Sequence, residues 1–317
     1  MRTALTALTD ELRRLKTAGV KTVAVSDESV AALRRVVAAR NAGPRTLTVA
    51  DATADRAETA KAPQTEPTSR AGKPYEPPTS AIRMTPTPAV RNPLPSPPTV
   101  ALLEGDKQTR WNALLELVRR DTTCQAHVRP GKLVVLGVGN LDASIMFVGE
   151  APGAEEEIQG EPFVGPAGQL LTKMILGMGL KRNDVYIGNI MNWRPEMPTA
   201  PGAQQVGNRP PTEEEIRYCL PYLRAQIEVV NPSLLVALGA TATSGLLGFG
   251  SFKALGDVRG KWHEFAGKPL MVTYHPSYIL REPTNRKKRL IWDDLLKVME
   301  RAALPISEKQ RGYFLDK

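Results

Sequence analysis

Cysteine is scarce in this chain. Cys124 and Cys219 are the only two in 317 residues, which excludes a disulfide framework and makes a reducing cytoplasm the expected setting. Aromatic residues make up 5% and histidines number three, so any ring at the mouth of a strand stands out. No apolar run approaches the ~18 to 20 residues that a bilayer helix needs, so no membrane association is expected. Asp10 and Glu11 interrupt the N-terminal apolar stretch before it reaches signal-peptide length. A phosphate-binding loop is also missing, because the Gly-rich turn at 149–153 is followed by Glu155, Glu156 and Glu157 and by no GKS or GKT.

What is present is basic charge, unevenly placed. The formal net charge is +9, which favours a polyanionic partner. Residues 1–50 carry nine Lys/Arg against four Asp/Glu, whereas the last 219 residues carry 27 against 24, so most of the excess lies outside the presumed core. Leu5, Leu8, Leu12 and Leu15, then Val30, Leu33, Val36 and Val37, recur at helical spacing and predict helices over 3–18 and 27–41, with a short strand at 21–25 between them. Residues 1–50 read as a small basic appendage that binds DNA or a protein partner. Residues 51–100 read as a mobile linker, because eleven prolines fall between 63 and 98 and remove backbone donors where little apolar surface offsets ordering entropy.

From 101 to 303 helices and strands alternate, with 304–317 left as a C-terminal tail. Helices are predicted at 108–120, 167–179, 213–230 and 288–302, and strands at 143–150, 184–190, 233–239 and 268–276. Thr212 and Glu215 form a capping-box pattern ahead of 213–230. Strands separated by helices predict a three-layer α/β/α domain around a central four-stranded parallel sheet. In such sheets ligands collect beyond the carboxyl ends of the strands.

Three of those ends carry chemistry. The first delivers Gly149, Glu150 and Ala151, then Phe163 between Pro162 and Gly165. Small residues let backbone amides approach a ligand, Glu150 places a carboxylate at the mouth, and Phe163 is a stacking surface for a planar base. The second delivers Asn189, whose amide offers a donor and an acceptor to a nucleobase edge; a turn residue is the plainer alternative. The fourth delivers His275, then Ser277, Tyr278, Leu280 and Arg281, and runs into Arg286, Lys287, Lys288 and Arg289. Ser277 and Arg281 can hold phosphates while Tyr278 to Leu280 form an apolar tip, the combination that wedges open a base stack. The basic run is otherwise a solvated helix start, and His275 a packed structural residue.

GEAPGAEEEIQGEPFVGPAGQLL (149–171), GNIMNWRP with NRPPTEEEIRYCLPYL (188–223) and HPSYILR (275–281) resemble the motifs of the uracil-DNA glycosylase superfamily, specifically its family 4 type. The resemblance implies hydrolysis of the N-glycosidic bond of uracil in single- or double-stranded DNA, leaving an abasic site, by a protein expected to be a monomer. It implies that Glu150 and the Ala151 amide lie beside the attacking water, that Phe163 stacks on the flipped uracil, that Asn189 reads its edge and that His275 contacts its O2. Ser277 to Arg281 would be the strand-penetrating loop. A non-catalytic DNA-binding relative and a glycosylase for deaminated purines are the other readings. Retention of Glu150, Phe163, Asn189 and His275 together favours the enzyme.

Two departures stand out. Family 4 members resemble one another in four cysteines that hold a 4Fe–4S cluster. Here Cys219 matches the last position, Trp193 stands at the third, and Cys124 falls near the first pair, with Asp121 and His127 three residues to either side. Two thiolates are insufficient for four-Cys ligation, so no cofactor is expected and Trp193 is expected to fill the space. A site from Cys124, His127 and Cys219 is the alternative. The second departure is a long connection between Pro195 and Asn208, which either alters the DNA path or is a surface loop.

Overall fold

The computed structural model describes residues 93–199 and 204–315. The helices expected over 3–18 and 27–41, the strand at 21–25 and most of the Pro-rich stretch lie outside the described residues.

Helix α1 (Lys107–Arg120) starts where the Asp106 carboxylate accepts from the Thr109 N–H at 2.7 Å. Asp121 ends it and caps α2 (Thr122–His127) through the Cys124 N–H at 2.6 Å. The chain then forms β1 (Val138–Gly139), β2 (Ile145–Gly149), α3 (Glu156–Gln159), α4 (Pro166–Gly177) and β3 (Tyr186–Asn189). Helix α5 (Glu213–Val230) opens on the Thr212–Glu215 capping box and stops at Asn231, whose φ of 52° suits a short polar side chain. After it come β4 (Leu234–Leu238), α6 (Ala240–Leu247), α7 (Leu255–Val258), β5 (Trp262–Phe265), β6 (Lys268–Thr273), α8 (Ser277–Arg281), α9 (Asn285–Arg301) and α10 (Glu308–Arg311).

The sheet order is β1-β3-β2-β4-β6-β5. Its four central strands are mutually parallel, as expected, but the sheet has six strands because antiparallel β1 and β5 flank them. The edges escape a pattern reading for physical reasons: β1 is two residues long, and β5 is a half-exposed edge strand joined to β6 by a two-residue turn. That turn is Ala266-Gly267, with φ values of 51° and 70°, the twist that closes tight hairpins.

Alternation along the central strands feeds two cores. On β2, Met146 and Val148 pack with Leu114 of α1 and Tyr222 of α5, while Ile145 and Phe147 pack with Leu171 of α4 and Leu295 of α9. Both faces are therefore covered. The helix after β2 lies on one face and the helix after β4 on the other, which opens a crevice between the ends of β2 and β4.

Both ends of the domain reach further than expected. Leu94, Val100 and Leu102, placed at the end of the linker or just beyond it, pack against the core, and the Leu94 N–H donates to Glu214 Oε1 at 2.6 Å. Past residue 303, the Trp292 indole donates to the Gln310 carbonyl at 2.6 Å and Tyr313 lies 5.2 Å from the Trp292 ring, so this segment is packed rather than a free tail. The long connection also folds back: the buried Gln205 donates to the Pro195 carbonyl and accepts from the Met197 N–H at 3.1 and 3.0 Å.

Candidate active site

Gly149, the last residue of β2, sits where no side chain fits. A Cβ there would lie 2.3 Å from the Phe163 ring and 2.5 Å from Asn189 Oδ1. Phe163 in turn lies 5.6 Å, centroid to centroid, from the His275 imidazole. The ends of β2, β3 and β6 thus bring Phe163, Asn189 and His275 around one point, with the backbone of Gly149 as its floor. Asn189 is buried, and its carboxamide has no hydrogen-bond partner among the described residues.

Phe163 holds a φ of 55°, a left-handed conformation that costs a bulky residue ~1–3 kcal/mol and persists only when its surroundings enforce it. One enforcer is Gly168 of α4, where a Cβ would collide with the Phe163 carbonyl at 1.7 Å. Another is Glu156. Its Oε1 accepts from the Val164 and Gly165 N–H groups at 3.1 and 3.0 Å, and its Oε2 from Gly153 at 3.0 Å. The adjacent Glu157 is also buried and pairs with Arg129 and, at 2.9 Å, with the buried Arg194. Three consecutive glutamates look alike in sequence; two of them are internal ties, and only their direction after folding separates them from Glu155.

Glu150 follows Gly149 at the crevice. Burial raises its carboxyl above the ordinary value, against a hydrogen bond with Thr241 on the first turn of α6 that lowers it. His275 is close to Gly239, where a Cβ would meet the His275 Cβ at 3.0 Å. Its Nδ1 lies 3.2 Å from the donating Ser277 N–H and 2.9 Å from Ser277 Oγ. Because a backbone N–H can only donate, Nδ1 accepts, and the neutral ring carries its proton on Nε2. Burial first, and Arg281 second, depress the imidazole to about 4. The ring is neutral at pH 7 and offers Nε2–H as a donor.

The segment after His275 differs from the expected apolar tip. Ile279 is buried in the core, and Tyr278 stacks on Tyr274 at 4.2 Å with Lys287 Nζ 4.6 Å from its own ring centre. Lys287 also pairs with Glu282. Only Leu280, 46% exposed, projects from the single turn of α8, beside the exposed Arg281 and Arg286.

A family model described as the uracil DNA glycosylase superfamily matches residues 136–296, which contain every strand end just described. The chain belongs to the uracil-DNA glycosylase superfamily. Within it the chain is 43% identical, over 57% of its length and 89% of the relative's, to the type-4 uracil-DNA glycosylase of Thermotoga maritima. Identity is 40% to the type-4 enzyme of Pyrobaculum aerophilum, over 55% of this chain and 86% of that one. It is 43% to that of Saccharolobus solfataricus, over 53% and 76%.

Against this superfamily background the corner holding Cys124 and Cys219 is unusual. Both cysteines are fully buried, and both thiols are pushed well above the ordinary range, chiefly by burial. Trp193 is buried in the same core cluster as both cysteines, stacked on His127, the last residue of α2, at 4.9 Å and tilted against Tyr218 at 6.0 Å. Asp121 is engaged by the Tyr218 and Tyr222 hydroxyls at 2.8 and 2.6 Å, and the His127 Nδ1 by the Thr123 carbonyl at 2.8 Å. Two cysteines beside a packed indole do not supply the four thiolates that a 4Fe–4S cluster needs. Among the described residues no group of three or more His, Cys, Asp or Glu is arranged to hold a metal ion. No helix of the described residues is long and apolar enough to cross a membrane.

Proposed function

We propose that this chain is a uracil-DNA glycosylase of the type-4 kind, releasing uracil from DNA by hydrolysis and leaving an abasic site. The observation that carries the reading is the meeting of Phe163, Asn189 and His275 at Gly149. An aromatic face, an unengaged carboxamide and a neutral imidazole donor are the three things needed to grip a planar base and take up charge as it leaves. The same residues dispersed over the surface would support no such reading.

The chemistry follows from the groups. A nucleotide leaves the stack, at a cost of a few kcal/mol, with Leu280 entering the gap and Arg281 and Arg286 beside phosphates. The base stacks on Phe163. Asn189 Oδ1 accepts from uracil N3–H while its Nδ2 donates to O4; cytosine presents the opposite pattern at both atoms and leaves the buried amide unmatched. The C1′–N1 bond breaks with its electron pair moving onto the base, and the charge gathers on O2, where His275 Nε2–H donates. A preorganised donor of this kind is worth ~3–4 kcal/mol, or 10²–10³ in rate. A neutral ring suits that role, because it keeps its proton and becomes no acid. The Glu150 side chain stabilises the positive sugar and orients the water that adds to C1′; one proton of that water leaves through its carboxylate form. We also propose that the chain works without an iron–sulfur cluster, since its donor set at that corner does not suit one.

The test is release of uracil from single- and double-stranded oligonucleotides without added metal, read as strand cleavage after alkali. Uncut DNA that the protein nevertheless binds would replace the enzyme by a DNA-binding relative, and cleavage confined to hypoxanthine or xanthine substrates would move the specificity to deaminated purines.

A further inference from the structure

Arg182 lies between α4 and β3, in a short turn that carries no recognisable chemistry in sequence. Its guanidinium nonetheless reaches the loop that holds the stacking ring. Nη2 donates to the Pro162 carbonyl at 2.7 Å and Nη1 to Thr172 Oγ1 of α4 at 3.3 Å. The group is partly buried, and the charges of Glu161 and Glu156 favour its cationic form at longer range while the carbonyl and the hydroxyl take its hydrogen bonds.

The placement matters because of the residues involved. Pro162 immediately precedes Phe163, and Val164 and Gly165, the two N–H groups taken by Glu156, immediately follow it. Phe163 is therefore the one residue between two fixed points, one made by an arginine on its N-terminal side and one by a glutamate on its C-terminal side. Its φ of 55° is a conformation the free chain would leave. Proline has no N–H of its own to anchor the segment, so the carbonyl of Pro162 is the group through which the approach to Phe163 can be gripped.

We propose that Arg182 is a positioning residue for base recognition, which clamps the Pro162 carbonyl and so holds the Phe163 ring over Gly149 at the spacing a flipped base requires. It touches neither substrate nor reacting atoms; it acts through Phe163. The inference rests on Phe163 being the stacking surface of the proposed glycosylase. Its consequence is a division of labour among arginines, with Arg281 and Arg286 facing DNA phosphates and Arg182 turned inward to the loop. A guanidinium suits the task because two of its planar donors reach two acceptors at once, which an ammonium cannot match in the same geometry.

A double-mutant cycle on the full chain decides it, with Arg182→Ala, Phe163→Leu (which keeps apolar volume but loses the flat face) and the pair, each assayed for single-turnover uracil release. Arg182→Ala is expected to slow release by about ten- to a hundredfold, the scale of a small misplacement at a reacting centre. In the Phe163→Leu background the same change should cost less than about twofold, because the ring it positions is gone. Affinity for an abasic-site duplex, which has no base to stack, and its salt dependence should stay unchanged. Arg182→Lys should recover part of the rate. An equal loss in both backgrounds, or a reduced salt slope, would overturn the inference while leaving the stacking reading intact. Full activity of Phe163→Leu would remove the stacking reading and this inference with it. Should Arg182→Ala fold poorly, the cycle is run with Arg182→Lys, for which the same loss of effect in the Phe163→Leu background is required.

Discussion

Around Gly149, the Asn189 amide and the His275 Nε2–H have no hydrogen-bond partner among the described residues, His275 committing Nδ1 alone. In the corner around Cys124 and Cys219, by contrast, Asp121 is bonded by two tyrosines, His127 is bonded and stacked, and both thiols are fully buried. Both regions are largely buried, the first at strand ends and the second mostly within α2 and α5. The difference is in what is left over. The first spends backbone strain at Phe163 and glycines at 149, 168 and 239 to turn polar edges toward one point, which costs stability and serves a ligand. The second satisfies the Asp121 charge and fills its volume with the Trp193 ring, whose unmatched N–H is enclosed by packing.

That contrast breaks most sharply at His275 and Trp193. His275→Ala is expected to slow uracil release by ~10²–10³, the worth of one oxyanion donor, and to cost less stability than emptying a fully buried site, since the ring is only partly buried. A small loss of rate would remove the imidazole from the chemistry. Trp193→Ala should do the reverse. Emptying a site that is 1% exposed should cost ~3–5 kcal/mol of stability, measured by urea unfolding. Trp193→Phe should cost much less, because the buried indole N–H has no hydrogen-bond partner among the described residues and its removal sheds an unmatched donor. A Trp193→Ala protein as stable as the parent would mean that the corner is not packed as described.

Sequence reading reached the strand ends because the determinants there are local: an apolar run, then a glycine and a polar residue. The capping box at Thr212 and Glu215 is local too, and α5 begins where it says. What escaped depends on which way a side chain turns. Glu155, Glu156 and Glu157 are indistinguishable until α3 forms and points two of them inward. Tyr278, Ile279 and Leu280 read as one apolar tip, yet a single helical turn sends Ile279 to the core and Leu280 to solvent. The proton position on His275 is fixed by a backbone N–H two residues away, and no spacing rule announces it. Arg182 was passed over because the carbonyl it grips is 20 residues upstream.

The smallest expected effect tests why the cysteine corner needs its charge at all. Burial alone would raise the Asp121 carboxyl; the hydroxyl of Tyr222, the N–H of Cys124 and the hydroxyl of Tyr218 outweigh it and hold the group below its ordinary value of 3.8. A carboxylate depressed in the folded state adds stability that is fully present above the unfolded pKa and is lost as pH falls through the folded one. Tyr222→Phe keeps the ring, which is 1% exposed, and removes one hydrogen bond to that carboxylate. At pH 7 it should cost about 1–2 kcal/mol. Below the folded pKa of Asp121 the acid is neutral in both proteins, so the gap between Tyr222→Phe and the parent should shrink as urea titrations move from pH 7 toward pH 3 and lower. A gap that stays constant over that range would mean that the hydroxyl contributes through packing and that the Asp121 charge plays no part in holding the corner closed.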